Sequence, residues 1–325
     1  MTDNQSFDFI CAGCAAGEGI YRFSAVGGRL EKKGEITGID EVMYFVREGG
    51  KLHVLLRAPE GFGGCGGYIA INEDASSAGM KDAVSTGGTV SCHLSVDGGD
   101  VYTANYTGSC VSHVGKKVLY HVPYRNMQPG RQEKPHPHCT ILSPDKKYVL
   151  ATDLGLDRIF VYDRQLDLCS VAETEKGHGV RHILFHPDGR TLYAVNELAS
   201  TVSVFSWDDG RLMLLKTYSC NICHPKNTAA AIRLSPDARR MYVSHRGQDV
   251  ITCFGVSEDG RTLSFVSNSD CGGAGPRDFC LSPDGKFIVT ANERSGNIAL
   301  LEINADGSAT VLDKADVKAA LCVLA

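Results

Sequence analysis

The chain has 325 residues, of which 43% are hydrophobic and 22% charged, a composition that can bury a large core and excludes a disordered protein. Its formal net charge is −5 and it contains no long basic run, which argues against a nucleic-acid partner, because phosphate binding needs clustered Lys and Arg. No apolar stretch reaches the roughly 18 residues of a membrane span, and residues 1–5 carry no positive charge ahead of an apolar region, so we expect neither a membrane partner nor export.

The first strand-like segments are short and irregular. Residues 7–12, 21–23, 27–30 and 51–55 are rich in β-prone residues or in turn glycines but show no clear repeat. The last segment, residues 319–324, is also strand-like. We predict that the two chain ends share one sheet and close a ring of sheets, because closure leaves few exposed sheet edges.

From residue 95 onward the sequence repeats a turn followed by a run of β-prone residues. The five turns are Ser95-Val-Asp97-Gly98, Ser143-Pro-Asp145-Lys146, His186-Pro-Asp188-Gly189, Ser235-Pro-Asp237-Ala238 and Ser282-Pro-Asp284-Gly285. Their aspartates are 48, 43, 49 and 47 residues apart, which is typical of a four-stranded β-propeller blade. The length then allows about seven blades. We predict an all-β, seven-bladed propeller of four-stranded antiparallel blades, forming a single domain over residues 1–325.

One blade shows the predicted strand order clearly. Residues 181–185 form a first strand, 191–196 a second, 201–206 a third and 212–218 a fourth. The blades that follow, from Ile232 and from residue 277, repeat this order.

Strand direction predicts where a site would lie. In a propeller the first strand of each blade lines the central channel and the second strand runs back antiparallel to it. The start of the first strand and the end of the second therefore lie on one face. Ionisable residues occupy these positions: His138, Arg181, Arg277, Asp153, Glu197 and Arg246. Such a group at one mouth of a channel predicts a site, although blade-end Asp and Asn also cap turns and buried Arg also ties blades together.

Several motifs in this region resemble one known family. They are His136-Pro-His138, Asp153-Leu-Gly155-Leu-Asp157-Arg158, Gly177-His-Gly179-Val-Arg181-His182, Asn196-Glu197-Leu198, Arg246-Gly247 and Gly275-Pro-Arg277-Asp-Phe279. They resemble the lactonase seven-bladed propeller family, which includes bacterial cytosolic 6-phosphogluconolactonases and the fungal carboxy-cis,cis-muconate cyclase. The resemblance runs from about Phe9 to the C-terminus and is dense from Cys92 to Leu301.

The resemblance also shows departures from the family pattern. Val180 stands where the family has proline, His245 stands in place of an asparagine before Arg246, and Ala238 replaces a turn glycine. None of these changes removes an ionisable candidate, but His245 could alter the fit of the substrate.

The resemblance implies a set of site residues. His138, Arg181, Glu197 and Arg246 match the proposed active-site groups of the muconate-cyclising member, and we predict them as catalytic. We further predict that the substrate is bound by Arg277, His182, Asp153, Asn105 and His93. The fold of the family implies no cofactor and no metal.

We predict a cytoplasmic lactone hydrolase that converts 6-phosphogluconolactone to 6-phosphogluconate in the pentose phosphate pathway. Glu197 or His138 would accept a proton from water, and Arg181 would stabilise the oxyanion. Arg246 and Arg277 would hold a phosphate or carboxylate, so the expected partner is a small anionic sugar lactone or a dicarboxylate. We expect a monomer or a weak homo-oligomer.

Two other functions stay open. A cycloisomerase of the carboxy-cis,cis-muconate cyclase type would use the same arginines with a general acid or base in place of water attack. A non-catalytic propeller that binds a protein through one face is favoured if the site arginines are buried in ion pairs between blades.

Thirteen cysteines at irregular spacing indicate free thiols in a reducing compartment, with Cys139, Cys253 and Cys280 as core residues. Cys220-Asn-Ile-Cys223-His224 matches the haem-attachment pattern, and the Cys11/Cys14 pair could suggest zinc. We predict neither, because the first pair falls between blades without an export signal and the second falls on the closing strand. A metal site at His136, His138 and Asp153 is also disfavoured by the neighbouring arginines.

Overall fold

The computed structural model describes residues 6–15, 18–124 and 127–325, so residues 1–5 lie outside the described part. Within that part, the secondary structure is 28 β-strands and one short 3-10 helix, Met80–Asp82. The strands are β1 Ser6–Gly13, β2 Ile20–Val26, β3 Arg29–Ile36, β4 Val42–Glu48, β5 Lys51–Leu56, β6 Cys65–Asn72, β7 Val84–Thr89, β8 Ser91–Asp97, β9 Asp100–Asn105, β10 Cys110–His113, β11 Lys117–Tyr120, β12 Pro137–Leu142, β13 Tyr148–Asp153, β14 Arg158–Asp163, β15 Leu168–Glu173, β16 Val180–Phe185, β17 Thr191–Asn196, β18 Thr201–Asp208, β19 Arg211–Ser219, β20 Thr228–Leu234, β21 Arg240–Arg246, β22 Val250–Val256, β23 Leu263–Asp270, β24 Pro276–Leu281, β25 Phe287–Asn292, β26 Asn297–Ile303, β27 Ala309–Asp316 and β28 Ala320–Leu324. No helix among the described residues is long and apolar enough to cross a membrane.

These strands form seven four-stranded antiparallel sheets, the blades of a seven-bladed β-propeller. Six blades take their four strands in sequence order, and the seventh has the order β28-β1-β2-β3. In that blade Ile10 pairs with Leu324 and Cys11 pairs with Val323. The predicted fold class and the predicted sharing of one blade by the two chain ends are both confirmed.

The chain divides into two compact units. The terminal unit comprises Met1–Val42, Asp74–Gly79 and Ser219–Ala325, and the middle unit comprises Met43–Glu73 and Met80–Tyr218. The terminal unit holds the closing blade and the blades β20–β23 and β24–β27, whereas the middle unit holds the four blades from β4 to β19.

Each unit has its own apolar core of alternate strand residues. In the middle unit, Leu150 and Val161 of one blade pack in the same cluster as Ala194 and Phe205 of the next. In the terminal unit, a cluster built on Ile288 and Leu301 likewise includes residues of the β20–β23 blade. The predicted core cysteines Cys139, Cys253 and Cys280 are buried, and all thirteen cysteines are free thiols.

The repeated Ser-Pro-Asp turns join the first and second strands of three blades. In each turn the serine hydroxyl donates to the aspartate carboxylate at 2.6–2.7 Å and accepts from the backbone N–H five residues after the serine. The residue after the aspartate has a positive φ, which is 60° at Lys146, 55° at Ala238 and 70° at Gly285. Glycine suits this position because a Cβ there costs about 1–2 kcal/mol.

Ala238 therefore offers a test of the turn. Replacing it with glycine (Ala238→Gly) should raise the free energy of unfolding by up to about 1 kcal/mol. Glycine removes the backbone strain of the positive φ, and this gain exceeds the additional conformational entropy that a glycine loses on folding. Urea denaturation measures the change. The control is Ala305→Gly, at an exposed turn residue without positive φ, which should lose a few tenths of a kcal/mol. A loss of stability in Ala238→Gly would contradict this account of the turn.

Candidate active site

β-Bulges mark the starts of several first strands. In the middle unit the register shifts at Cys92 of β8, His138 of β12 and Arg181 of β16. In the terminal unit it shifts at Arg277 of β24. A bulge inserts one residue and re-aims its side chain, and bulges are frequent next to active sites. Three of these four residues are sequence-predicted site residues.

Cys92 was missed by the sequence prediction. His138, Arg181 and Arg277 each lie seven residues before the aspartate of their turn, and the same spacing from Asp97 leads to Val90. In this blade the strand ladder continues to the pair Asp97–Asp100, so Asp97 is a strand residue and not a turn residue. The residue equivalent to His138, Arg181 and Arg277 in this blade is therefore Cys92, where the bulge lies.

Arg181 and Glu197 form a buried ion pair. Glu197 directly follows β17, and its Oε2 lies 3.1 Å from Nε of Arg181 at the start of β16. The two side chains are 2% and 0% exposed. A buried charge without its partner costs several kcal/mol, so each side chain requires the other. The prediction that the start of a first strand and the end of the second lie on one face is therefore correct for these two groups.

Glu197 also pairs with Arg131. Its Oε1 lies 2.8 Å from Nη2 of Arg131, whose side chain is 49% exposed. Nε of Arg131 donates to the Tyr106 hydroxyl at 3.0 Å, and the guanidinium lies 5.7 Å from the centre of the Tyr106 ring. Burial lowers the pKa of Arg131, but the charge of Glu197 and the contact with Tyr106 outweigh it and raise the pKa above its usual value. One buried carboxylate therefore holds two cations.

Arg131 could not be found from the repeat. It lies in the connection between β11 and β12, where the sequence shows no blade pattern. The only signal was its charge in a segment that the strand prediction left unassigned.

Imidazole rings adjoin the ion pair. Nη1 of Arg181 donates to Nε2 of His182 at 3.0 Å. A guanidinium can only donate, so this contact assigns the proton of neutral His182 to Nδ1. The His182 ring lies 5.1 Å from the His93 ring and 5.5 Å from the His138 ring, both in edge-to-face contact. The structure thus brings together His93, His138, Arg181, His182 and Glu197.

Two cysteine thiols contact the imidazole rings of His93 and His138. Sγ of Cys92 lies 3.8 Å from Nδ1 of His138, and Sγ of Cys139 lies 3.5 Å from Nε2 of His93. The Tyr44 ring stacks on His93 at 4.3 Å. Each cysteine contacts the histidine of the neighbouring blade, so the two rings are held by adjacent first strands.

Asp157 positions the segments that carry Glu197 and Arg131. Its carboxylate accepts from the backbone N–H of Gly177 at 2.7 Å and of Gly179 at 2.6 Å, and the Gly179 carbonyl accepts from the Glu197 N–H at 2.8 Å. The same carboxylate accepts from Nε2 of Gln132 at 2.8 Å. Because Gln132 follows Arg131, a single aspartate fixes both sides of the ion pair.

The terminal unit repeats this arrangement. Asp249 accepts from the Gly275 N–H at 2.8 Å, and the Gly275 carbonyl accepts from the Glu293 N–H at 3.0 Å. Nη1 of Arg277 donates to Oε2 of Glu293 at 3.4 Å. This pair is more exposed than its counterpart in the middle unit, at 20% and 37%. Arg277 and Glu293 are thus the blade equivalents of Arg181 and Glu197.

Arg246 ends β21 in the terminal unit, next to a fully buried histidine. Nδ2 of Asn227 lies 3.0 Å from Nδ1 of His245, which accepts since the amide donates. Burial and, to a smaller extent, the charge of Arg246 lower the pKa of His245 from 6.5 to about 3. His245 is therefore a neutral packing residue next to Arg246.

Asp153 is fully buried, and both of its carboxylate oxygens contact other parts of the chain. Its Oδ2 lies 2.6 Å from Nδ1 of His121, and its Oδ1 accepts from the backbone N–H of His136 at 2.8 Å and of Leu156 at 3.0 Å. Both oxygens are thus occupied by contacts within the protein, and the predicted contact of Asp153 with the substrate stays a prediction. Among the described residues, no group of three His, Cys, Asp or Glu side chains is arranged to hold a metal ion.

Asn105 is buried in the same way, and its predicted contact with the substrate also stays a prediction. Its Oδ1 accepts from Ser91 at 2.6 Å and its Nδ2 donates to Ser112 at 2.8 Å, in the buried interior of the blade. Asn105 and Asp153 both end a second strand, and the equivalent His245 and Asn292 are also fully buried. Side chains alternate along a strand, so this position faces the blade interior and the next residue faces away from it.

Comparison with known proteins agrees with the seven-bladed fold. The family model described as lactonase, 7-bladed beta-propeller, matches residues 9–325. The chain belongs to this family. An uncharacterized protein of Staphylococcus aureus (strain USA300) is 31% identical over 307 residues, covering 91% of this chain and 84% of that protein. The membership supports the predicted enzyme class, a lactone hydrolase.

Solved structures of similar proteins cover nearly the whole chain. A protein from Lactobacillus plantarum superposes with a TM-score of 0.87 at 26% identity, covering 98% of this chain and 99% of that one. The periplasmic gluconolactonase of Pseudomonas aeruginosa gives 0.86 at 25% identity, with the same coverage. A candidate 6-phosphogluconolactonase of Bacteroides uniformis gives 0.87 at 25% identity, covering 99% of each chain.

The buried His245 predicts a specific acid sensitivity. Its pKa is lowered in the folded state, so the unfolded chain takes up the proton first as the pH falls from about 6.5 toward 3. The folded state therefore loses stability over this range, by at most about 1.4 kcal/mol per pH unit for one group. Asparagine in its place (His245→Asn) should flatten the dependence of the unfolding free energy on pH, measured by urea denaturation between pH 7 and 4. The exposed His224→Asn serves as the control, and equal slopes in the two variants would contradict the assignment.

Proposed function

We propose that this protein hydrolyses 6-phosphogluconolactone to 6-phosphogluconate. The observation that carries the proposal is the ion pair of Arg181 and Glu197, in contact with imidazoles on one side and with the half-exposed Arg131 on the other. Such a site offers a base, a fixed cation for an oxyanion and a second cation for a negatively charged substrate. Two similar solved structures are named a gluconolactonase and a candidate 6-phosphogluconolactonase. Both names refer to sugar lactones as substrates, which supports the substrate class.

His138 is the proposed general base. Lactone hydrolysis requires water to attack the carbonyl carbon while it loses a proton, after which the ring C–O bond breaks and its oxygen takes up a proton. Both oxygens of Glu197 are engaged by guanidinium groups, and Nε2 of His182 accepts from Arg181. These contacts make Glu197 and His182 poor proton acceptors. His138 would take the proton from water and return it to the leaving oxygen.

Arg181 is the proposed oxyanion stabiliser. As the tetrahedral intermediate forms, the carbonyl oxygen gains negative charge, and a guanidinium stays cationic throughout. Glu197 and His182 fix this guanidinium before the substrate arrives, so little reorganisation is needed during the reaction. Glu197 is then a positioning residue that holds Arg181.

The deep burial of the ion pair also suits a non-catalytic propeller, although the pair lies within one blade and not between blades. Arg181 is only 2% exposed, and a purely structural pair would look the same. The two functions differ in what a substitution does: a structural pair affects stability alone, whereas a catalytic one affects the rate of the folded protein.

Substitution of His138 and Glu197 tests the mechanism. His138→Gln should lower kcat by at least about 100-fold with little loss of stability, since it removes the base. Glu197→Gln should lower kcat at least about tenfold and also lower the unfolding temperature, because Arg181 loses its buried counter-ion. Rates are measured on 6-phosphogluconolactone above its spontaneous hydrolysis, and thermal unfolding is followed in parallel.

Glu173→Gln is the matched control, since Glu173 is an exposed carboxylate of the same unit that pairs with Arg158. It should keep the wild-type rate. Full activity in both His138→Gln and Glu197→Gln, with only stability changed, would rule out the catalytic roles and favour the scaffold.

The role predicted for Arg246 and Arg277, holding the anionic group of the substrate, stays a prediction.

A further inference from the structure

We propose that Arg131 recognises the phosphate of the substrate and thereby sets the preference for a phosphorylated over a neutral lactone. This inference rests on the proposed function and adds to it a residue that lies outside the blade repeat.

The first argument is the unequal exposure of the two arginines that share Glu197. Arg181 is 2% exposed and reaches only a group that enters the buried site, whereas Arg131 is 49% exposed. A lactone carbonyl is small and neutral before attack, and a phosphate is large and strongly hydrated. The buried cation therefore suits the developing oxyanion, and the half-exposed cation suits the phosphate.

The second argument is charge. Arg131, Arg181 and Glu197 carry two positive charges and one negative charge, so the group has a net charge of +1. The charged neighbours along the chain, Glu133 and Lys134, carry opposite charges and leave this net charge unchanged. Glu133 contacts His136 at 3.1 Å, and Lys134 donates to the Thr107 carbonyl at 2.9 Å. An anionic ligand would balance this net charge, and a neutral sugar lactone would not.

The third argument is that Arg131 is pre-positioned. Its guanidinium has five N–H donors, and the contacts with Tyr106 and Glu197 use those on Nε and Nη2. The next residue, Gln132, is buried and donates to the Leu154 carbonyl at 2.8 Å as well as to Asp157. A buried anchor beside a half-exposed planar donor is the arrangement that binds phosphate at low entropic cost.

The test compares two substrates in one variant. Wild-type enzyme and Arg131→Gln are assayed on 6-phosphogluconolactone and on the neutral glucono-lactone, above the spontaneous rate of each. We expect the ratio of the two kcat/KM values to fall by about 10- to 100-fold in the variant, the value of one or two charge-assisted hydrogen bonds. Arg131→Lys, which keeps the charge without the planar fork, should recover part of the ratio.

The matched control is Lys134→Gln, which removes one positive charge from the same connection and should keep the wild-type ratio. Inorganic phosphate provides a second readout that a purely structural role would not move: it should inhibit the wild type competitively and Arg131→Gln much less.

The outcomes distinguish failure of the proposed function from failure of the proposed role of Arg131. Wild-type enzyme without activity on 6-phosphogluconolactone would overturn the proposed function. An active wild type whose substrate ratio and phosphate inhibition are both retained in Arg131→Gln would overturn the role of Arg131 alone. Should Arg131→Gln fail to fold, the ratio measured in Arg131→Lys decides, and an unchanged ratio there also counts against the proposal.

Discussion

The site depends on a single buried carboxylate that must be neutralised. Glu197 is inaccessible to water, and a lone buried anion would cost several kcal/mol, so it fixes the position of any cation it recruits. It recruits Arg181 from its own blade and Arg131 from the connection that precedes the neighbouring blade. The contact with Arg131 joins chain segments that no strand pairing connects, and the two arginines differ in their exposure to solvent. The division of labour proposed for them follows from that difference.

Backbone geometry makes this recruitment possible. The bulge at Arg181 aims its side chain, and the turn held by Asp157 sets the position of the Glu197 main chain through Gly179. Gly177 and Gly179 both adopt positive φ, 85° and 65°, which explains the glycines of the Gly-His-Gly motif. The motif is thus the backbone support of the ion pair, and its chemical content lies in the residues on either side.

Much of the fold and part of the site could be predicted from the sequence, because the repeat indicates both the order and the direction of the strands. Strand direction alone placed Arg181 beside Glu197. It failed where the local backbone departs from the repeat, because a longer ladder shifts the bulge to Cys92. It also did not indicate that Asn105 and Asp153, at the ends of β9 and β13, are fully buried. Arg131 could not be predicted from the repeat, because tertiary contacts, and not a periodic pattern, position a residue in an irregular connection.

The Arg–Glu pairs of the two units are each separated by 16 residues, and the same spacing links His138 to Leu154 and Ala230 to Arg246. Each of these four blades thus presents the same two positions on a common backbone frame. Charged pairs fill them in two blades, a lone imidazole in the third and a lone guanidinium in the fourth. Duplicated blades could exchange these side chains without disturbing the hairpins beneath them. Descendants of one ancestral blade could in this way have diversified their chemistry while inheriting the same architecture.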